Sequence, residues 1–165
     1  ISALGFASTA LLETVCSQFE KEPKLLQYLT LETTEKSIVR GVELTRSQMK
    51  IFSKMGIHLA LDDYGTGYSS LSYLGQFKFN HIKIDESFVS GHDISSQQSI
   101  ILETINSLAK SLAIKTVAEG IETQQQLELM RDLQCTMGQG FYISKPLFED
   151  EFLNLLKNKQ KLIFT

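Results

Sequence analysis

Two kinds of apolar spacing alternate along this chain. Short, largely apolar runs at 28–31, 57–61 and 114–118 each stop at an acid: Glu32 after the first, Asp62 and Asp63 after the second, Glu119 after the third. β-Branched and aliphatic residues filling four or five consecutive positions read as buried strands of a parallel sheet. Between them, apolar residues recur at helical spacing in 11–19, 38–55 and 100–112, as on the buried stripe of an amphipathic helix. The pattern predicts strand centres near residues 30, 59, 82, 116 and 141. They lie about 23 to 34 residues apart, the length of one strand, one helix and two loops. Asp93 with Ser95 and Ser96 predicts a helix start before Ile100, Glu122-Thr123 another before Leu127, and Gly56 and Gly75 mark helix stops.

Strand and helix in regular succession is a β/α pattern, and five such units suit either an open doubly wound sheet or part of an eight-unit barrel. The open sheet would announce a phosphate-binding loop, yet neither GxGxxG nor GxxxxGK[ST] occurs. The expected fold is therefore α/β, a TIM-like (β/α) barrel that is incomplete in this chain, with about five β/α units. In the segment 63–68, Gly65 and Gly67 lack the third glycine of a dinucleotide loop and read as a flexible loop over the acids. With no low-complexity linker, no shift of composition, and Pro23 and Pro146 at loop-like places, residues 1–165 read as one domain.

Composition narrows the function classes. The chain is 42% hydrophobic and 21% charged, ordinary for a globular domain with a core of its own. A net charge of −3 and the lack of a Lys/Arg block argue against a nucleic-acid polymer as ligand. Cys16 and Cys135 form no CxxC pair or disulfide framework, fit a reduced cytosol, and read as small buried apolar residues. No apolar stretch approaches the roughly 20 residues that cross a bilayer, which leaves any membrane anchor to other parts of a longer parent.

The carboxyl ends of neighbouring strands in a parallel β/α fold open onto one crevice, so the acids that close the runs would meet there. Glu32, Asp62, Asp63 and Glu119 are hard oxygen donors, with Gln139 a further polar contact, and no His or Cys cluster accompanies them. Such a set suits Mg²⁺, Mn²⁺ or Ca²⁺ rather than zinc or copper. Adjacent aspartates could serve two cations, which at about 3.5 to 4 Å separation stabilise the attacking and leaving oxygens of phosphoryl hydrolysis. Lys83, inside the strand run 80–85, would put an ammonium among these acids, there to orient a water or neutralise a phosphate oxygen.

Plainer roles compete for each residue. An acid after a strand is commonly a helix N-cap, and Lys83 could simply pair Asp85 or a neighbouring acid. His58, His81 and His92 fall on different elements and read as surface or packing residues, Phe77, Phe79, Phe88 and Tyr73 as core, and the methionines as gap fillers. Acids at three strand ends together with a strand lysine favour the metal site over these separate readings.

Five segments carry a resemblance: 31–35 (LETTE), 61–71 (LDDYGTGYSSL), 82–85 (IKID), 118–123 (AEGIET) and 139–147 (QGFYISKPL). In this order and spacing the chain resembles the EAL domain family, bacterial cyclic di-GMP phosphodiesterases and their inactive relatives. The resemblance implies an eight-stranded β/α barrel with one strand running against the others, two Mg²⁺ or Mn²⁺ ions, and inhibition by Ca²⁺. It implies hydrolysis of cyclic di-GMP to linear pGpG by a metal-activated water. By motif match, Glu32 and Asp62 would hold the first ion, and Asp62 would bridge to a second held by Asp63 and Glu119. Lys83, Glu119 and Gln139 would take catalytic roles, Gln139 close to the metal-bound water or substrate, and Gln139 and Pro146 would bind substrate. Glu122 would anchor the loop that carries Gly65, Thr66, Gly67 and Ser69, a loop that couples substrate binding to formation of a homodimer. A cytoplasmic location and a parent carrying diguanylate cyclase or sensory domains are implied as well.

The chain also departs from the family pattern. The glutamate of the Glu-Ala-Leu motif, the arginine after it and the asparagine of an Asn-X-Ser segment are not in the sequence, and Ile1-Ser2-Ala3 aligns with the residues just after that asparagine. The expectation is a carboxy-terminal two-thirds of the domain, lacking its amino-terminal strands and inactive when alone. Thr33 stands where the family usually has Ile, and Glu86 where it often has Arg. Two alternatives compete with an active parent enzyme: a silent cyclic di-GMP receptor, and a barrel lyase using acids, Mg²⁺ and a strand lysine. The intact acid set speaks against the first, the GTGYSSL and QGF segments against the second.

Overall fold

Parallel ladders join five strands: β1 (Thr30–Thr34), β2 (His58–Tyr64), β3 (His81–Ile84), β4 (Lys115–Ala118) and β5 (Met137–Gly138). The computed structural model describes residues 5, 8–39, 42–66, 71–90 and 96–157. Strand order in the sheet is the order in the chain, β1-β2-β3-β4-β5, each parallel to the next. A doubly wound sheet reverses its strand order at a switch point, whereas a barrel adds each strand beside the last. The sheet is thus an arc of a TIM-like barrel, with β1 and β5 as its two edges among the described residues.

Helices fill the connections: α1 (Thr9–Gln18), α2 (Glu35–Val39), α3 (Val42–Lys54), α4 (Leu71–Gln76), α5 (Ser96–Ser111), α6 (Gln124–Asp132) and α7 (Glu149–Lys157). Period-two alternation assigns the two faces of the sheet. Leu31 and Thr33, Leu59 and Leu61, Ile82 and Ile84, Thr116 and Ala118 are all buried, and the registers Leu31↔Leu59, Leu61↔Ile82 and Ile84↔Ala118 set them side by side. This face packs on Met49 and Phe52 of α3, Leu102 and Ile105 of α5 and Met130 of α6 to form the core. On the opposite face Glu32, Asp62, Lys83 and Val117 are half-buried, which makes it the concave interior of the arc.

Several local expectations need correction. β1 continues past Glu32 to Thr34, so this acid sits mid-strand opposite Ala60 rather than at a strand end. The fifth strand is Met137–Gly138, ahead of the expected centre at 141; the chain then turns, with Tyr142 N donating to Ile121 O and Ser144 N to Gly140 O. The helical spacing over 38–55 belongs to two helices, α2 and α3, with Gly41, a poor helix former, between them in the sequence. Gly56 does end α3, at φ 85°, and Gly75 stands in the last turn of α4, which stops at Gln76. Cys16 is exposed while Cys135 is buried. Met49 and Met130 are core residues, as are Phe77 and Phe79. The proposed start at Asp93 and Ser95, like His92, lies outside the described residues, and α5 begins at Ser96.

Candidate metal centre

One lysine gathers the acids. Lys83 Nζ lies 2.9 Å from Glu32 Oε2, 3.0 Å from Asp62 Oδ1 and 3.0 Å from Glu119 Oε1, and its side chain is 11% exposed. Parallel strands stand about 4.8 Å apart, so roughly 10 Å separates the Lys83 and Glu32 strands, β3 and β1. The two side chains reach toward each other to close that gap, and Ala60, the register partner of Glu32, puts only a methyl group in the way. Asp85, the other partner considered, instead caps the short helical turn Glu86–Phe88 by accepting from Ser87 N at 3.0 Å.

The two adjacent aspartates reach the site because β2 is irregular. In a regular strand consecutive side chains point to opposite faces. Between Leu61↔Ile82 and Tyr64↔Ile84, however, β2 takes three residue steps to two of β3, a bulge. Asp63 within it adopts the left-handed conformation, φ 54°. Carboxylate oxygens of Asp62, Asp63 and Glu119 consequently lie within 4.8 Å of one another.

Glu119 follows β4, with its amide donating to Ile84 O at 3.1 Å. Gly120 after it takes φ 72° and packs so closely on Glu86 that a Cβ there would stand 2.6 Å from Glu86 Cβ. The turn then enters α6 through a capping box: Thr123 accepts from Gln126 N at 3.2 Å while Gln126 Oε1 takes the amides of Glu122 and Thr123 at 2.7 and 3.0 Å. Gln139 is fixed from β5 by its amide to Ala118 O and its carbonyl to Ile121 N. At Gly140 a Cβ would fall 2.1 Å from Ile121 O, so only glycine lets the two backbones approach.

Beside the lysine a cavity of about 340 Å³ is lined by Asp63, Glu119, Glu122 and Gln139 together with Asp85, Glu86 and Phe141. Glu122 thus faces the cavity that Asp63 and Glu119 share. Pro146 is exposed and is not part of its lining. Gly65 and Thr66 open the loop beyond Asp63; Gly67 and Ser69 lie outside the described residues. Asp85 and Glu86, read from the sequence as a possible Lys83 partner and as a departure from the family's Arg, both stand in the cavity wall; Glu35, given no role from the sequence, has a charge that acts on Tyr64 at the loop's start. Burial, and then the Glu35 charge, raise the Tyr64 pKa. His58 and His81 fall on different elements as expected, β2 and β3, but these strands are neighbours and set the ring centroids 5.6 Å apart.

Electrostatics follow from this arrangement. Burial opposes the Lys83 charge, but the close contacts with Glu32, Glu119 and Asp62 outweigh it, and the pKa is raised, so the ammonium is charged throughout the neutral range. Burial raises the Glu119 pKa, and the charges of Asp62 and Glu32 add to this against the pull of Lys83. Three carboxylates share one ammonium and Asp63 lies close by, so negative charge is left over. Asp62 Oδ1 is buried without an aligned hydrogen bond, its 3.0 Å approach to Lys83 being an ion-pair contact only. All-oxygen donors, spare negative charge and a spacing near the roughly 4 to 5 Å between oxygens across a hard divalent cation together fit such an ion.

The EAL domain family matches residues 1–146. This chain belongs to the EAL domain family. A relative, cyclic di-GMP phosphodiesterase NbdA of Pseudomonas aeruginosa, is 36% identical over 146 residues, which cover 88% of this chain and 18% of NbdA. Among solved structures the EAL domain resembles the MucR phosphodiesterase in complex with c-di-GMP, at TM-score 0.85 and 34% identity, covering 92% of this chain and 62% of that one. It also resembles Klebsiella pneumoniae BlrP1 in its manganese and cyclic di-GMP complex, at TM-score 0.72 and 29% identity, covering 83% of this chain and 34% of that one. The chain spans about a fifth of the full length of curated relatives such as NbdA and MucR. Among the described residues no helix is long and apolar enough to cross a membrane.

Proposed function

We propose that this EAL domain is the catalytic part of a phosphodiesterase that hydrolyses cyclic di-GMP to linear pGpG. The observation that carries the reading is the meeting of Glu32, Asp62 and Glu119 on Lys83, with Asp63 within ligand distance of two of them. Asp62, Asp63 and Glu119 would hold one Mg²⁺ or Mn²⁺, and Glu32 with Asp62 would contribute to a second. Bound there, the cations would lower the pKa of a water and neutralise charge developing on the phosphate. Lys83, held between Glu32, Asp62 and Glu119, would orient a water beside Glu119 and screens the carboxylates from one another. Gln139, fixed by two backbone hydrogen bonds, offers its amide to that water or to a phosphate oxygen. Identity with NbdA and likeness to the c-di-GMP complex of MucR support this choice of substrate.

The test is to incubate the parent protein with cyclic di-GMP and Mn²⁺ and to separate the products by chromatography. Linear pGpG should accumulate, and Asp62→Asn should lower the rate by at least about a hundredfold, while Glu128→Gln on the exposed face of α6 leaves it unchanged. Nucleotide binding without product would replace the enzyme by a receptor.

A further inference from the structure

β2 leaves the sheet through two left-handed residues, Asp63 at φ 54° and Gly65 at φ 102°. Outside glycine this region carries a cost, smaller for Asp and Asn than for most residues, and the surroundings of Asp63 hold its backbone there. Two contacts do this. Thr66 folds back on the Asp63 carbonyl, with its amide at 3.4 Å and its hydroxyl at 3.0 Å. On the other side the Phe88 ring closes against Gly65: a Cβ built there would stand 2.7 and 2.9 Å from Cε2 and Cζ of the ring.

Phe88 is itself well anchored. It ends the helical turn Glu86–Phe88 that Asp85 caps, it packs on the core, and the next residue, Val89, is fully buried. We propose that Phe88 is a positioning residue for Asp63: by bearing on Gly65 it fixes the turn that aims the Asp63 carboxylate at Asp62 and Glu119. This rests on the reading of Asp63 as a metal ligand. β3 and the helical turn after it then serve both adjacent aspartates, with Lys83 paired to Asp62 and Phe88 setting the backbone of its neighbour. A ring is suited to the task, because glycine exposes a patch of bare backbone that a planar group can cover and a branched side chain covers less well.

Mn²⁺ binding by the chain, followed through the free-ion electron paramagnetic resonance signal, tests the idea, with circular dichroism to check each variant's fold. Phe88→Leu keeps an apolar side chain in the core but removes the ring. It should weaken Mn²⁺ binding about tenfold, the scale of a residue supporting a metal ligand, and Asp63→Asn should weaken it at least as much. In the Asp63→Asn background Phe88→Leu should add nothing, because both changes act through one carboxylate. Losses that multiply, or Phe88→Leu affinity within about twofold of the parent chain, would overturn the proposal. If Asp63→Asn alone leaves Mn²⁺ affinity unchanged, the ligand reading of Asp63 is wrong. The positioning contact is then judged without metal, from hydrogen exchange at the Thr66 amide. Phe88→Leu should speed that exchange by about tenfold or more, and unchanged protection would overturn the contact's role.

Discussion

Lys83 Nζ stands 3.0 Å from Asp62 Oδ1, and that oxygen is buried without an aligned hydrogen bond. The lysine therefore supplies charge to Asp62 while leaving directional bonding capacity on the oxygen free. Such a pairing keeps an acidic cluster tolerable in the absence of metal and still available to it. Glu32, Asp62 and Glu119 range from 18% to 44% exposed, so water moderates their repulsion as well.

Lys83→Met should destabilise the metal-free chain by about 1–3 kcal/mol, because it leaves polar groups in a half-buried site without their partner. Added Mn²⁺ should recover part of the loss by taking over the charge. Urea unfolding with and without Mn²⁺ measures both effects; an unchanged midpoint would show that the lysine contributes nothing to the fold.

Mn²⁺ and Mg²⁺ should raise the thermal midpoint of the chain in a concentration-dependent way, since an ion that binds only the folded state stabilises it, by about 2.7 kcal/mol at a hundred times its Kd. A chelator should reverse the shift. Asp62→Asn should abolish it, and a shift that survives this change would move the ion to other residues.

Thr116→Val removes a hydroxyl that donates to Asn106 Oδ1 at 2.7 Å and accepts from Thr136 N at 3.1 Å. Thr116 and Asn106 are both buried, so the change should cost about 1–3 kcal/mol in chemical denaturation. This network lies on the helix side of the sheet, and Mn²⁺ affinity should not change.

His81 should make stability pH-dependent. Burial, then the charges of His58 and Lys115, lower its pKa, and its Nδ1 is buried without a partner. The folded state thus binds a proton less readily than the unfolded chain, whose histidine titrates near 6.5. Its contribution to stability is complete above about pH 6.5 and is lost as pH falls from there through the lowered folded value. Unfolding midpoints at pH 7.5 and 5.5 should differ less in His81→Leu than in the parent chain; an equal difference would assign the effect to other groups.

Alternating short apolar runs and helical stripes were enough to predict five β/α units, and four of the five strands formed where they were expected. Elements whose boundaries depend on backbone conformation were harder to place. α5 and α6 are followed by left-handed Ala113 and Gln134, at φ 55° and 58°, residues without the glycine that usually marks such a stop. Gly75 did mark a stop, standing one residue before the end of α4. The fifth strand shrank to two residues because Gly140 is committed to the Ile121 backbone and the chain folds over there.

By itself the sequence determined the acid set, the strand lysine and the family, because these depend on residue type and spacing along the chain. Tertiary structure decided how they meet. No spacing rule says that Lys83 crosses Ala60 to reach Glu32, since that depends on strand order and register. Nor could the sequence show that Asp62 and Asp63 share one face. Alternation would separate them, and only a bulge, with Asp63 left-handed and Gly65 pressed by Phe88, brings both carboxylates to Glu119.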